Sequence, residues 1–146
     1  MLNKALFSSK SDNWKTPVRF YQQLDKEFQF DFDPCPLAPD FDGLSVDWKT
    51  SNFVNPPYSQ IAKWVEKGVT EWKKGKTVVF LIPSRTDTRW WHEYILKATE
   101  IRFVKGRLKF EGAKNSAPFP SVVVVFKKGR AIPPMTKIKG IFALFL

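Results

Sequence analysis

The sequence predicts an α/β fold with a mostly parallel sheet that ends in an antiparallel hairpin. Strand-like and helix-like segments alternate through most of the chain, which is typical of parallel strands joined by helices. Residues 77–82 (TVVFLI) form a continuous apolar run, as expected of a strand buried on both faces. The last strand-like segments have no helix between them, and consecutive strands joined in that way pair antiparallel.

The first elements are predicted by local signals. Thr16-Pro17 is typical of a helix start, with Thr16 as N-cap and Pro17 at the first helical position. Apolar residues at helical spacing follow them: Val18, Tyr21, Leu24 and Phe28. Residues 28–32 alternate between Phe and polar side chains and predict a short strand, which Pro34 ends. Residues 52–55 predict a second strand, stopped by Pro56-Pro57.

The second half continues the alternation. Ser59 is a candidate N-cap for a helix whose apolar face comprises Ile61, Trp64, Val65, Gly68, Val69 and Trp72. Thr86 or Asp87 could cap a further helix that carries Trp90, Trp91, Tyr94, Ile95 and Ala98. Strands are predicted at residues 77–82, 101–104, 107–110 and 121–126, and the last six residues are apolar.

Composition excludes several classes of protein. With 146 residues, 43% of them hydrophobic, the chain is expected to form one globular domain. One Cys and one His exclude a disulfide framework and the usual structural zinc sites, and no metal is expected. No apolar run reaches the roughly 18 residues of a membrane span, and residues 1–11 have no apolar core of signal-peptide type. A reducing, cytoplasmic location follows as an expectation.

The net charge of +10 is unevenly distributed. Residues 1–59 carry a net charge of −2, and residues 60–146 carry +12. A basic half suggests a polyanionic partner such as nucleic acid, although a solvated basic surface would have the same composition.

Asn55-Pro56-Pro57-Tyr58 is the sharpest chemical feature, because it directly follows a predicted strand, where ligands bind in open α/β sheets. The Asn55 side-chain oxygen and the Pro56 carbonyl could accept both hydrogens of a planar amino group. The prolines would hold these acceptors rigid, and Tyr58 offers a flat face for a base. The structural alternative is a simple turn, since Asn-Pro and Pro-Pro are common in turns.

Asn-Pro-Pro-Tyr is also the catalytic motif of amino-group methyltransferases that use S-adenosylmethionine. From about residue 14 to residue 128, the chain resembles the phage-type DNA N6-adenine methyltransferase (Dam) family. The resemblance rests on segments in the following order: WKTP (14–17), FDPC (32–35), GL (43–44), DW (47–48), FVNPPY (53–58), IPSRTDT (82–88), GRLKF (106–110) and GAKNSAPFPS (112–121).

This resemblance implies a reduced Rossmann-like methyltransferase fold, with residues 13–130 as the methyltransferase domain. Residues 1–12 would be a flexible lead-in and residues 131–146 a C-terminal extension of unknown role. The implied catalytic residues are Asn55, Pro56, Pro57 and Tyr58. The implied residues of the S-adenosylmethionine site are Trp14, Thr16, Pro17, Asp33, Pro34, Cys35, Asp47 and Trp48.

Double-stranded DNA is the expected substrate, with a flipped adenine as methyl acceptor. Cations, hydroxyls and amides are the usual phosphate-contacting groups. The candidates for DNA contact are Arg85, Thr86, Arg89, Arg107, Lys109, Lys114 and Asn115.

The chain departs from larger methyltransferases between Asp33 and Asp47, where only 14 residues separate the two and no glycine-rich loop is present. Asp40 and Asp42 are therefore both candidates for the ribose-binding acid. Two alternatives stay open. One is a non-catalytic DNA-binding relative, and the other is a protein-glutamine N-methyltransferase, because a carboxamide also presents a planar amino group.

Overall fold

The structure is a computed structural model that describes residues 14–129 and 137–141. The order of elements is α1 (Val18–Phe28), β1 (Ser51–Val54), α2 (Ile61–Lys73), β2 (Thr77–Pro83), α3 (Arg89–Glu93), β3 (Glu100–Val104), β4 (Ser121–Phe126) and β5 (Lys137–Ile141). Short 3₁₀ turns occupy Tyr58–Gln60 and Ile95–Lys97. The expected lead-in (1–12) and, except for β5, the C-terminal extension lie outside the described residues.

The strands form one sheet in the order β1-β2-β4-β3-β5. β1 pairs in parallel with β2, and β3 with β5, whereas β4 is antiparallel to both of its neighbours. Four strands therefore point in one direction and β4 alone is reversed. This confirms the predicted mostly parallel α/β sheet with its antiparallel pair, β3 and β4. The pair does not close the sheet at an edge, however, because β4 lies between β2 and β3.

Helices cover both faces of this sheet, which is the Rossmann-like arrangement. All seven residues of β2 are buried. Phe80 and its neighbours at period two pack with α2 on one face, and Val79 and Leu81 pack with α1 on the other. Gly68 lets α2 approach the sheet closely, because a Cβ there would lie 2.4 Å from the Phe80 ring.

Two predicted strands are absent from the described part of the chain. Residues 28–32 do not form one, because α1 continues to Phe28 and only Phe32 makes a β-bridge, with Asn52. Residues 107–110 alternate between exposed and buried side chains as a strand would, but only the bridge between Lys15 and Glu111 forms beside them.

The helix starts also differ from the local signals. α1 begins at Val18 with Pro17 as its N-cap residue, one position later than predicted. α2 begins after the 3₁₀ turn, so Gln60 and not Ser59 precedes it. α3 is capped by Thr88, whose hydroxyl accepts from the Trp91 N–H.

Candidate active site

The carboxyl ends of β1, β2 and β3 lie at one edge of the sheet, and β4 begins there. Residues 55–58, 84–88 and 105–120 therefore meet at this edge, which we call the carboxyl edge. The Ser84 N–H donates to the Pro120 carbonyl at 2.9 Å and ties two of these segments together. The Asn55-Pro56-Pro57-Tyr58 motif and the candidate DNA-contacting residues therefore lie at or beside this edge, as expected for an open α/β sheet.

The Asn55 amide is held in one orientation by the segment that precedes α1. Its Nδ2 donates to the Trp14 carbonyl and, at 3.0 Å, to the Thr16 hydroxyl. Its Oδ1 is buried and has no hydrogen-bond partner among the described residues. A buried acceptor without a partner is costly to the protein alone. It is therefore available to a donor that a bound molecule brings.

The rest of the tetrapeptide is rigid. Pro57 has φ −63° and ψ 136°, and its carbonyl accepts from the Gln60 N–H at 3.1 Å. The Tyr58 ring stacks with Trp14 at a centroid distance of 6.1 Å and meets Phe119 edge-on at 4.8 Å. Aromatic packing of this kind fixes ring orientation. Tyr58 thus belongs to a small aromatic cluster beside Asn55.

A cavity of about 570 Å³ opens next to Asn55, a size suited to a small-molecule ligand. It brings together Trp14, Thr16, Asp33 and Cys35, four of the eight predicted cofactor residues. The rest of its lining comprises Lys15, Val18, Tyr21, Gln22, Asp25, Pro36, Leu37, Phe53 and Asn55.

Two further predicted cofactor residues shape the wall without lining the cavity. Pro34 is buried, and its carbonyl lies so close to Gly43 that a Cβ there would be 1.8 Å from the carbonyl oxygen. The loop from Asp33 therefore doubles back on itself. Pro17 precedes α1 and lines a neighbouring groove of about 690 Å³ that also contains Arg19 and Lys109.

Acidic groups give the cavity a negative character. Desolvation by surrounding protein atoms raises the pKa of Asp33, although the hydrogen bond from the Cys35 N–H at 2.9 Å acts in the opposite direction. Asp25, which the sequence analysis missed, lies one helical turn after Tyr21 on the same face of α1. Desolvation and then the charges of Asp25 and Asp33, which line the same cavity, raise the pKa of Tyr21.

Asp47 and Trp48, which were predicted at the cofactor, do not line this cavity. They precede β1 and so lie towards the opposite edge of the sheet. Trp48 is only 3% exposed, stacks with Trp64, and donates its ring N–H to the Gly43 carbonyl at 2.7 Å. Asp47 is exposed and forms an ion pair with Lys74 at 3.2 Å. Their side chains are therefore engaged in the core and at the surface.

Glu71 anchors this far end of the molecule. Its fully buried carboxylate accepts from the Trp48 N–H at 2.7 Å and pairs with Lys67, Lys74 and Lys76. Desolvation acts to raise the pKa of Glu71, but the Trp48 N–H and the three ammonium groups outweigh it and lower the pKa to about 2. This group fixes the loop before β1 onto α2.

The predicted DNA-contacting residues are all exposed and surround the carboxyl edge. Arg85 and Thr86 follow β2, and Arg89 begins α3, where it pairs with Glu93 at 3.0 Å. Four more lie between β3 and β4: Arg107, Lys109, Lys114 and Asn115. Leu108 and Phe110 are buried, whereas Arg107 and Lys109, which alternate with them along the chain, are exposed to solvent.

Asp40 and Asp42, the two candidates for a ribose-binding acid, are exposed in the loop before β1 and do not line the cavity. Asp42 accepts from the Ser45 hydroxyl and the Leu44 N–H, which lowers its pKa and shows that it stabilises a turn.

Within residues 14–129 and 137–141, no three His, Cys, Asp or Glu side chains are grouped so as to hold a metal ion. No helix in the same part of the chain is long and apolar enough to cross a membrane.

Comparison with known proteins identifies a family and a weak likeness to solved structures. The family model described as DNA N-6-adenine-methyltransferase (Dam) matches residues 4–139. Among solved structures, the chain is similar to one described as a class I S-adenosylmethionine-dependent methyltransferase from Listeria monocytogenes, with 13% identity and a TM-score of 0.46. The match covers 68% of this chain and 40% of that one, so this chain spans less than half of its length. No curated protein matches.

Proposed function

The chain belongs to the DNA N-6-adenine-methyltransferase (Dam) family, and from this premise we propose that it methylates N6 of adenine in double-stranded DNA, with S-adenosylmethionine as methyl donor. One observation carries the proposal: the Asn55 Oδ1 is a buried acceptor without a partner, at the wall of a ligand-sized cavity.

Asn55 is proposed to hold the adenine amino group. The two donor hydrogens of its own amide are engaged by Trp14 and Thr16, so the free Oδ1 is the atom that faces a substrate. An amino group that donates to this oxygen and to the Pro56 carbonyl loses conjugation with its ring, and its lone pair becomes available. Attack of N6 on the methyl group then requires mainly the correct orientation of the two reactants, because the acceptors that hold the amino group are already fixed.

The cavity suits the proposed cofactor in charge and in size. Asp33 and Asp25 offer carboxylates to a cationic ammonium, and Val18, Leu37 and Phe53 supply apolar contact. When bound, S-adenosylmethionine would supply a methyl carbon made electrophilic by its positively charged sulfur, would leave as the neutral thioether after transfer of that methyl to N6, and N6 would release a proton to solvent. Trp14, Thr16 and Cys35 complete the proposed binding wall.

Base flipping is part of the proposal, because Asn55 is partly buried and a base stacked in a duplex could not reach it. The exposed cations around the carboxyl edge would contact the backbone and offset the cost of unstacking, which is a few kcal/mol. Tyr58 would stack on the flipped base, with its ring held by the stacked Trp14 and the edge-on Phe119.

The test is transfer of a labelled methyl group from S-adenosylmethionine to DNA by the wild-type protein and by Asn55→Ala. We expect N6-methyladenine in wild-type reactions, and a fall of about 10²-fold or more in kcat for N55A. Its affinities for DNA and cofactor should stay within about threefold of wild type, because binding uses many other groups.

Gln60→Ala is the matched control, since Gln60 is an exposed amide close to the motif whose side chain makes no capping bond. Its turnover should equal that of wild type. Label in protein and none in DNA would contradict the proposed substrate, and full turnover by N55A would contradict the role of Asn55.

A further inference from the structure

Glu111 joins the segment that carries the candidate DNA-contacting residues to the segment that orients Asn55. We propose that it is a positioning residue, through which contact with DNA sets the cofactor cavity and the Asn55 amide. This inference rests on the proposed function, and it adds a residue that the motif does not contain.

Two hydrogen bonds connect Glu111 to the start of the chain's described part. Its backbone N–H donates to the Lys15 carbonyl at 3.0 Å, in an antiparallel bridge. Its carboxylate Oε1 accepts from the Val18 N–H at 3.0 Å, across 93 residues of sequence. The bridged residue, Lys15, lies between Trp14 and Thr16, the two partners of the Asn55 amide. Glu111 is thus two contacts away from Asn55.

The carboxylate supplies a helix cap that the local sequence does not. Pro17 precedes α1 without a side-chain capping bond, and no acidic residue lies in the first turn. A negative charge at a helix N-terminus is attracted by the exposed N–H groups and the helix dipole. Glu111 therefore fixes where α1 begins, and with it Val18, Tyr21 and the cavity wall that they form.

The segment that holds Glu111 is rigid on its inner side and basic on its outer side. Leu108 and Phe110 are buried, and the Ala117 N–H donates to the Leu108 carbonyl at 2.7 Å. Phe110 also packs against the Trp14 ring at a centroid distance of 5.4 Å. Lys109 and Lys114 flank Glu111 and are exposed.

DNA phosphates bound by these two lysines would act on Glu111 directly. A phosphate near an exposed carboxylate repels it and disfavours its solvated conformers, whereas the α1 N-terminus attracts it. DNA contact would therefore strengthen the bond to the Val18 N–H and order the cavity wall. By linkage, a ligand in the cavity must strengthen DNA binding by the same factor.

The test measures that coupling factor with S-adenosylhomocysteine, the demethylated form of the cofactor, which allows binding in the presence of DNA without turnover. Its Kd is measured by calorimetry with and without a duplex that the wild-type protein methylates. We expect the duplex to lower the wild-type Kd by at least about fivefold. In Glu111→Ala this factor should fall to about one. Glu111→Gln should also lose most of it, because its neutral amide can still accept from the Val18 N–H but is not repelled by phosphate.

Val18→Pro removes the donor of the Val18–Glu111 hydrogen bond, because proline has no backbone N–H. Proline is well tolerated at the first position of a helix. We expect it to reproduce the loss of coupling, and the double variant E111A/V18P to lose no more than either single variant. Glu66→Ala, an exposed glutamate on α2 on the other face of the sheet, is the matched control and should keep the wild-type factor.

Equal coupling factors in wild type and E111A would overturn the inference, and so would a wild-type factor of one. Both outcomes leave methylation of the duplex intact. Failure of the wild-type protein to methylate any DNA would instead reject the proposed function, and the inference with it.

Discussion

Two polar side chains in the cavity are held in states that are unfavourable for the protein alone. The Asn55 Oδ1 is buried without a partner, and Asp33 is partly desolvated, which raises its pKa. Sites that retain such costs are typically those where a ligand relieves them. The two residues would bind different groups: Asn55 offers a hydrogen-bond acceptor to a neutral amino group, and Asp33 offers a negative charge to a cation.

Asp33→Asn tests the charge at the residue scale. A raised folded-state pKa means that ionised Asp33 destabilises the fold, and that stability falls as pH rises through the folded pKa. At pH 7 the variant should therefore unfold at a slightly higher temperature, and the gain is small because water still reaches the side chain. Cofactor affinity should fall by about tenfold, since a charge-assisted bond is lost.

Calorimetric titration with S-adenosylmethionine between pH 4 and pH 8 measures the affinity. Wild-type affinity should weaken as pH falls towards the raised pKa of Asp33, and D33N should lack this dependence. Asp87→Asn, an exposed acid outside the cavity, serves as control. A wild-type pH profile in D33N would show that another group carries the interaction.

At the scale of elements, local sequence patterns predicted most helices and strands but not their ends. Thr16-Pro17 has the local form of a helix cap, yet the Thr16 hydroxyl accepts from Asn55, and the cap comes from Glu111 instead. These two hydrogen bonds join residues that are 39 and 93 positions apart in the sequence. No local pattern contains such contacts, so α1 starts one residue later than predicted.

In the candidate site too, some features could be predicted from local sequence and others could not. Asn55 could be predicted because its motif follows a strand, and strand ends determine position in an α/β sheet. Residues 107–110 were predicted as a strand because buried Leu108 and Phe110 alternate with exposed cations, which any segment lying along a core also does. The contacts of Asp47 with Lys74 and of Trp48 with Gly43 could not be predicted, because these residues become neighbours only in the folded chain.

Glu71→Gln tests how the loop before β1 is fixed to α2. The folded-state pKa of Glu71, about 2, is below its ordinary value of 4.5, so the ionised group stabilises the fold above pH 4.5 by at most about 3 kcal/mol. This contribution is lost as pH falls from 4.5 towards 2. We expect E71Q to unfold at lower denaturant concentration at pH 7, with a free energy of unfolding about 1–3 kcal/mol below wild type.

Urea unfolding curves at pH 7 and at pH 3 measure both effects. The difference between wild type and E71Q should shrink at pH 3, because Glu71 of the unfolded wild-type chain, with its ordinary pKa of 4.5, is then mostly protonated, which favours the unfolded state. Glu66→Gln, on the same helix but exposed, should change stability by less than about 0.5 kcal/mol. A difference independent of pH would mean that shape and not charge accounts for the effect.

At the scale of the whole molecule, the net charge of +10 does not form one surface. Some of the exposed cations of the basic half surround Asn55 at the carboxyl edge, including Arg85, Arg107 and Lys114. Lys127 and Lys128 follow β4, whose reversed direction takes them to the opposite edge. The composition predicted a polyanionic partner, but only the topology separates the cations that can reach a DNA molecule at Asn55 from those that cannot.

The salt dependence of DNA binding distinguishes these two groups of cations. Each phosphate contact releases counterions and contributes about 0.9 to the slope of log K against log salt concentration. Lys114→Ala should therefore reduce the slope by about 0.9, as measured by fluorescence anisotropy of a labelled duplex between roughly 50 and 200 mM salt. Lys128→Ala removes the same charge from the opposite edge and should leave the slope unchanged. An unchanged slope in K114A would mean that DNA does not bind at Lys114, and equal reductions would mean that the duplex contacts both edges. A reduction confined to K114A places the duplex across the segment that holds Glu111 and beside Asn55.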